Sequence, residues 1–157
     1  MPGPQRLLTI ALQDPLLQKL GLEFTGFVSS LSLLYAFQVS PCRFKYEVES
    51  LKLLEFEGES EGQDWPYENY PARFPVVPLA FEKPKPINWK KLEADEDWHG
   101  ITAQDSRPGK DEVLVVVPPN DGYGVSLWGE SGDNECVQTI FRVAMKAGTV
   151  ETWNECT

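Results

Sequence analysis

Residues 137–146 read VQTIFRVAMK and alternate between two kinds of side chain. The mainly apolar set consists of Val137, Thr139, Phe141, Val143 and Met145, and the polar set between them consists of Gln138, Arg142 and Lys146. Successive side chains of a β-strand point to opposite faces of the sheet. The stretch therefore predicts a half-buried β-strand, with its apolar face toward the core.

Further strand patterns lie on both sides of this stretch. Residues 113–117 are apolar at every position, which predicts a central strand covered on both faces. Residues 118–122 (PPNDG) predict a turn that leads into a partner strand at 123–127, because Asn, Asp and Gly accept the backbone angles of tight turns. Ala147 and Gly148 then predict a turn into a last strand at 149–154. Together these patterns predict a four-stranded antiparallel meander at the C-terminus.

A second β-region is predicted after Cys42. Phe44, Tyr46 and Val48 alternate with polar residues, and the alternation resumes out of phase beyond Ser50. A one-residue slip sends the apolar set to the other face of a strand, so a turn or a bulge is required near residues 49–50. A bent strand and a tight hairpin both satisfy this requirement.

The N-terminal part has patterns that are typical of helices. Asp14 and Pro15 predict a helix that runs to residue 19 or 20, with the carboxylate as N-cap and proline at the first helical position. The uncharged residues 24–39 carry an apolar stripe at helical spacing, which predicts a core helix: Phe24, Phe27, Val28, Leu31, Leu34 and Tyr35. Residues 1–5 are predicted to be disordered. The predicted fold is a single α+β domain over residues 1–157, with N-terminal helices packed on a curved, mainly antiparallel sheet.

Charge and composition exclude several classes of function. The chain has 24 acidic and 14 basic residues, a formal net charge of −10. Nucleic-acid binding needs clustered Lys and Arg and is not expected. A zinc site needs about four converging ligands, and the chain offers three scattered cysteines and one histidine, so neither metal nor cofactor is expected. The uncharged run is shorter than the about 20 apolar residues of a membrane span, and the sparse cysteines without a leader predict a cytoplasmic protein.

Residues 57–72 are predicted to form an acidic loop that also carries aromatic residues. Trp and Tyr are enriched in interaction hot spots, and surrounding carboxylates favour an Arg- or Lys-rich partner. The rings can equally fold back onto the sheet as a lid. The predicted partner-binding residues are Glu57, Glu59, Glu61, Asp64, Trp65, Tyr67, Glu68 and Tyr70.

The sequence thus favours a non-enzymatic interaction protein, of inhibitor or immunity type at most, that binds a basic protein partner. One alternative is a small-molecule pocket between helices and sheet, lined by Phe27, Tyr35, Trp128 and Phe141. A remote alternative is a hydrolase that uses His99, the only histidine, with the carboxylates beside it. No nucleophile motif accompanies His99, so no catalytic residue is assigned.

Overall fold

The fold was obtained as a computed structural model, which describes residues 4–19, 29–35, 42–58, 107–117 and 137–156. Within these ranges the elements follow one another as β1 (Gln5–Ala11), α1 (Pro15–Lys19), β2 (Ser30–Tyr35), β3 (Arg43–Glu47), β4 (Leu53–Glu57), β5 (Glu112–Val117), β6 (Val137–Ala144) and β7 (Thr149–Cys156). Strands β1 and β2 form a two-stranded sheet, and the others form a five-stranded sheet in the order β4-β3-β7-β6-β5. Every pairing is antiparallel.

The prediction of an α+β fold with N-terminal helices packed on the sheet is wrong. The described chain is mostly antiparallel sheet, and α1 is its one short helix. Residues 30–35 form β2 rather than part of a core helix, and they pair with β1. Positions 31–35 are all buried, so β2 is covered on both faces. A short apolar run of this kind fits a buried strand and a buried helix equally well, which explains the error.

Strand β1 was hidden from the sequence pattern by a change of register. Its pairing with β2 shifts between Arg6 and Leu8, which interrupts the alternation of exposed and buried side chains. Thr9 and Ile10 are β-branched and suit the strand. The helix predicted to follow Asp14 is confirmed as α1. The Leu16 amide donates to the Asp14 carboxylate at 2.8 Å, which is the predicted N-cap of α1.

The two predicted C-terminal strands are confirmed as β6 and β7, with the turn at residues 145–148 between them. Gly148 has φ +65°, a conformation that glycine adopts without the clash of a Cβ atom. The predicted order of the meander is wrong, because β6 pairs with β5 on one side and with β7 on the other. Residues 113–115 of β5 are half-buried rather than fully covered. The predicted strand at 123–127 lies outside the described residues.

The core lies between the two sheets. It combines four residues of β2 with residues from β3, β6 and β7: Leu31, Leu33, Leu34, Tyr35, Phe44, Tyr46, Phe141, Val143 and Val150. The hydroxyl of Tyr46 donates to the Ser32 carbonyl at 2.8 Å and accepts from the Leu34 amide at 3.0 Å. This one side chain therefore ties the five-stranded sheet to the backbone of β2. Burial raises the pKa of Tyr46 well above its ordinary value, while the hydrogen bond from Leu34 lowers it by less.

No helix among the described residues is long and apolar enough to cross a membrane.

Candidate functional site

The β3–β4 hairpin forms one margin of the described five-stranded sheet. Its turn is closed by a hydrogen bond from the Glu47 amide to the Lys52 carbonyl at 3.0 Å and by one from the Leu51 amide to the Glu47 carbonyl at 2.9 Å. Leu51 has φ 57°, in the left-handed region that costs a non-glycine residue about 1–2 kcal/mol. Packing of its side chain against the core offsets part of this cost. The hairpin is one of the two solutions that the sequence left open.

A register shift inside the hairpin places the apolar residues of β4. Phe56 lies opposite the buried Phe44, and after the shift Leu53 lies opposite the buried Tyr46. The rings of Phe44 and Phe56 are stacked, with centroids 6.3 Å apart. The turn and this register shift together account for the change of phase in the alternation of apolar residues beyond Ser50. As a result, apolar residues of β4 extend the core face of the sheet outward.

None of the described residues covers these apolar side chains completely. All five residues of β4 are exposed, and three of them are large hydrophobics: Leu53 at 42%, Leu54 at 41% and Phe56 at 40% exposure. Among the described strands, β4 alone is exposed at every residue. It pairs with β3 and ends the order of described strands, so its outer edge has no partner among them. Exposed apolar edge strands are sites where other chains attach.

The opposite face of the sheet carries charges whose sign alternates from strand to strand. The register aligns one residue from each of four neighbouring strands, a row that we call the charge ladder: Arg142, Glu151, Lys45 and Glu55. Glu57 lies one position along β4, opposite Arg43. The ladder thus ends in carboxylates at the outermost described strand.

Glu151 is held in the ladder by two arginines. Its carboxylate accepts from Arg43 Nε at 2.7 Å and from Arg142 Nη1 at 3.1 Å. Both guanidinium groups also lie over the ring of Trp153, 5.4 and 5.2 Å from its centroid. Each such cation–π contact contributes about 0.5–1 kcal/mol at exposed sites. Hydrogen bonds therefore fix Glu151 at the centre of the ladder, whereas Glu55 at its β4 end is exposed to solvent.

Most of the predicted partner-binding residues lie outside the described residues. Glu57 is the exposed last residue of β4. The other seven, Glu59, Glu61, Asp64, Trp65, Tyr67, Glu68 and Tyr70, lie outside the described residues, so their role stays a prediction. Glu55 and the apolar residues Leu53, Leu54 and Phe56 are not among the residues that the sequence predicted for partner binding. The phase change that marks these positions was visible, but it indicates a turn rather than exposure.

The predicted small-molecule pocket and the predicted hydrolase site each depend on residues that lie outside the described residues. Tyr35 and Phe141 belong to the packed core, with exposed fractions of 2% and 0%. Phe27, Trp128 and His99 lie outside the described residues, so the pocket and the hydrolase stay predictions. The core helix that would have covered the pocket is replaced, over residues 30–35, by β2. Among the described residues, no group of three or more His, Cys, Asp or Glu side chains is placed to hold a metal ion.

Comparison of the chain with protein-family models, with curated proteins and with solved structures finds no match in any of the three.

Proposed function

We propose that this protein is a non-enzymatic interaction protein that binds a basic protein partner. The contact would be made by β4 together with the acidic, aromatic segment at residues 57–72. The single observation that carries the proposal is that every residue of β4 is exposed, including three large apolar side chains at 40–42% exposure. An apolar patch of this kind on the surface of a protein is typical of a binding site.

The charge around β4 supports a basic partner. Between residues 53 and 72 the sequence has six acidic residues and no Lys or Arg. Carboxylates around an apolar contact raise the rate at which a cationic protein finds it, and they form charge-assisted hydrogen bonds with Arg and Lys once it is bound. The apolar residues would then supply most of the binding free energy, and the acids would supply speed and selectivity.

The proposal is tested by affinity capture from an extract of the cells that produce the protein, followed by kinetic measurement on each retained protein. The variant neutralises four acids by amide substitution: Glu57→Gln, Glu59→Gln, Glu61→Gln and Asp64→Asn. We expect basic proteins to be retained by the wild type and released at about 300 mM salt, where screening is strong. The variant should associate with them about tenfold more slowly, because electrostatic steering acts on the association rate.

The matched control changes the net charge equally in another acidic stretch: Glu93→Gln, Asp95→Asn, Glu96→Gln and Asp97→Asn. Association that is slowed equally by both variants would show a general effect of net charge. Retained proteins and rates that are the same for the wild type and the first variant would overturn the proposal.

A further inference from the structure

We infer that the partner contributes an extended basic segment that adds to the outer edge of β4 as a further antiparallel or parallel strand. This inference rests on the proposed function and specifies the chemistry and the backbone conformation of the partner. It predicts Lys or Arg at alternate positions of the segment and apolar residues between them. The observation that carries it is the charge ladder, which ends in carboxylates on an edge strand with no described neighbour.

The ladder specifies the charge of the next strand. From β6 to β4 the aligned residues are positive, negative, positive and negative: Arg142, Glu151, Lys45 and Glu55. A residue that joins this row beyond Glu55 lies about 5 Å from it, the spacing of neighbouring strands. Opposite charges at that spacing are favourable and like charges are unfavourable. Lys or Arg on the added strand would continue the alternation, and Glu57 offers a second such position two residues further along.

The other face of β4 specifies the residues between these basic positions. Side chains alternate along a strand, so the residue between the two cations and those on either side of the pair would lie on the face of Leu54 and Phe56. These side chains are 41% and 40% exposed. Apolar residues of the partner would cover them and remove apolar surface from water, at about 25 cal/mol per Å². An alternating basic and apolar segment therefore matches both faces of the edge.

A second copy of this chain fits the edge poorly. If two β4 strands paired antiparallel around a two-fold axis, the registers that align their charged faces would put Glu55 against Glu55, Glu55 against Glu57, or Glu57 against Glu57. Each of these pairs is a like-charge contact. Charged residues on an edge strand are a known means of preventing self-pairing. The same carboxylates that exclude a second copy select a basic segment.

The test uses the full chain and a fluorescent seven-residue peptide in which lysine and valine alternate. A second peptide has the same sequence but N-methyl groups along its backbone, which keep the charge and remove the N–H donors of a strand. We expect the first peptide to bind at about 50 mM salt, and the methylated peptide at least about tenfold more weakly, because strand addition depends on backbone hydrogen bonds. Hydrogen exchange of the β4 amides, Leu53–Glu57, should slow when the first peptide binds.

Two results would overturn the added strand. One is equal binding of both peptides with no change in the exchange of the β4 amides. That result contradicts strand addition and leaves the proposed function in place, because charge alone would then govern the contact. The other is that the alternating peptide does not bind. The affinity-capture experiment then decides the proposed function separately.

A pair of charge reversals locates the contact. Glu55→Lys should weaken binding of the alternating peptide at least about fivefold, because it replaces an attractive cross-strand pair by a repulsive one. Glu49→Lys changes the net charge by the same amount in the turn of the same hairpin, where Glu49 is exposed. Equal weakening by both variants would contradict recognition at the edge of β4. Circular dichroism and thermal unfolding of both variants exclude loss of the fold as the cause.

Discussion

Strands β3 and β4 are the two arms of one hairpin, and each has five residues. Phe44 and Tyr46 of β3 are buried almost completely, whereas every residue of β4 is exposed. Pairing alone therefore does not bury a strand. Strand β3 is buried because β7 lies on its other side and the β1–β2 sheet covers its apolar face, and β4 has neither among the described residues. Strand β3 is thus part of the core, whereas β4 presents apolar side chains to solvent.

The largest difference in stability is expected when the two stacked rings, Phe44 and Phe56, are truncated one at a time. Phe44→Ala should lower the free energy of unfolding by about 3–5 kcal/mol, because it leaves a cavity in a packed core. Phe56→Ala should cost less, about 1 kcal/mol, since its side chain is 40% exposed and its removal leaves no enclosed cavity. Urea unfolding of both variants measures the difference. Equal losses would show that β4 is as much a part of the stable fold as β3.

The next largest effect is expected at the tie between the sheets. Tyr46→Phe removes a hydroxyl and leaves the buried Leu34 amide and Ser32 carbonyl without that partner. We expect a loss of about 2–3 kcal/mol in the free energy of unfolding. Chemical denaturation at pH 7 measures it. A loss below about 0.5 kcal/mol would mean that water replaces the hydroxyl without cost.

The same residue predicts a dependence of stability on pH. Because the pKa of Tyr46 is raised in the folded protein, the unfolded chain releases this proton first as the pH rises past the ordinary value of 10.0. The stability that the neutral Tyr46 hydroxyl contributes is therefore complete below about pH 10. It is lost as the pH rises further toward the pKa of Tyr46 in the folded protein. Tyr46→Phe lacks this titration, so the wild type and the variant should converge in stability above pH 10. A constant difference across that range would contradict the assignment.

A smaller effect is expected at the centre of the charge ladder. Glu151→Gln should cost about 1 kcal/mol, because one half-buried carboxylate receives hydrogen bonds from two guanidinium groups. Asp111→Asn is the comparison, since the pair of Lys146 and Asp111 is largely exposed, with side-chain exposed fractions of 68% and 43%. That substitution should cost less than about 0.5 kcal/mol. Thermal unfolding at low and high salt measures both. Equal costs would show that burial does not strengthen the ladder.

The smallest change in stability is expected for substitutions on β4. The same substitutions should change self-association. Glu55→Gln combined with Glu57→Gln should alter the free energy of unfolding by less than about 0.5 kcal/mol, because both side chains are exposed. It should also promote concentration-dependent self-association, since the like charges that oppose pairing of two β4 edges are gone. Sedimentation velocity measures this against a control with the same net charge, Glu49→Gln with Asp111→Asn. Self-association of both variants alike would point to net charge rather than to the edge.

Local signals in the sequence predicted the elements that depend on them. The N-cap of α1 follows from Asp14 and Pro15, and β6 follows from the alternation at residues 137–146, which only Ile140 and Ala144 interrupt. The β3–β4 turn follows from a change of phase. Each of these features is decided by neighbours in sequence, so no knowledge of distant contacts was needed.

The errors arose where tertiary packing decides. Strand β2 is buried on both faces, so its apolar residues show no period of two, and Leu31, Leu34 and Tyr35 happen to match helical spacing. The exposure of Leu53, Leu54 and Phe56 had no local signal either, since apolar residues in a strand normally predict burial. Position in the sheet order is what exposes them, and that order is set by pairing between strands far apart in sequence. Of the predicted binding residues, Glu57 alone could be placed.

The Tyr46 hydroxyl has a consequence for how the molecule meets other chains. Its O–H donates to the Ser32 carbonyl and its oxygen accepts from the Leu34 amide, as the peptide groups of an adjacent strand would. These two backbone groups of β2 are therefore already hydrogen-bonded within the protein. Another chain could pair with them only if the two sheets separated. A single phenol thereby protects this position of β2 from pairing with another chain.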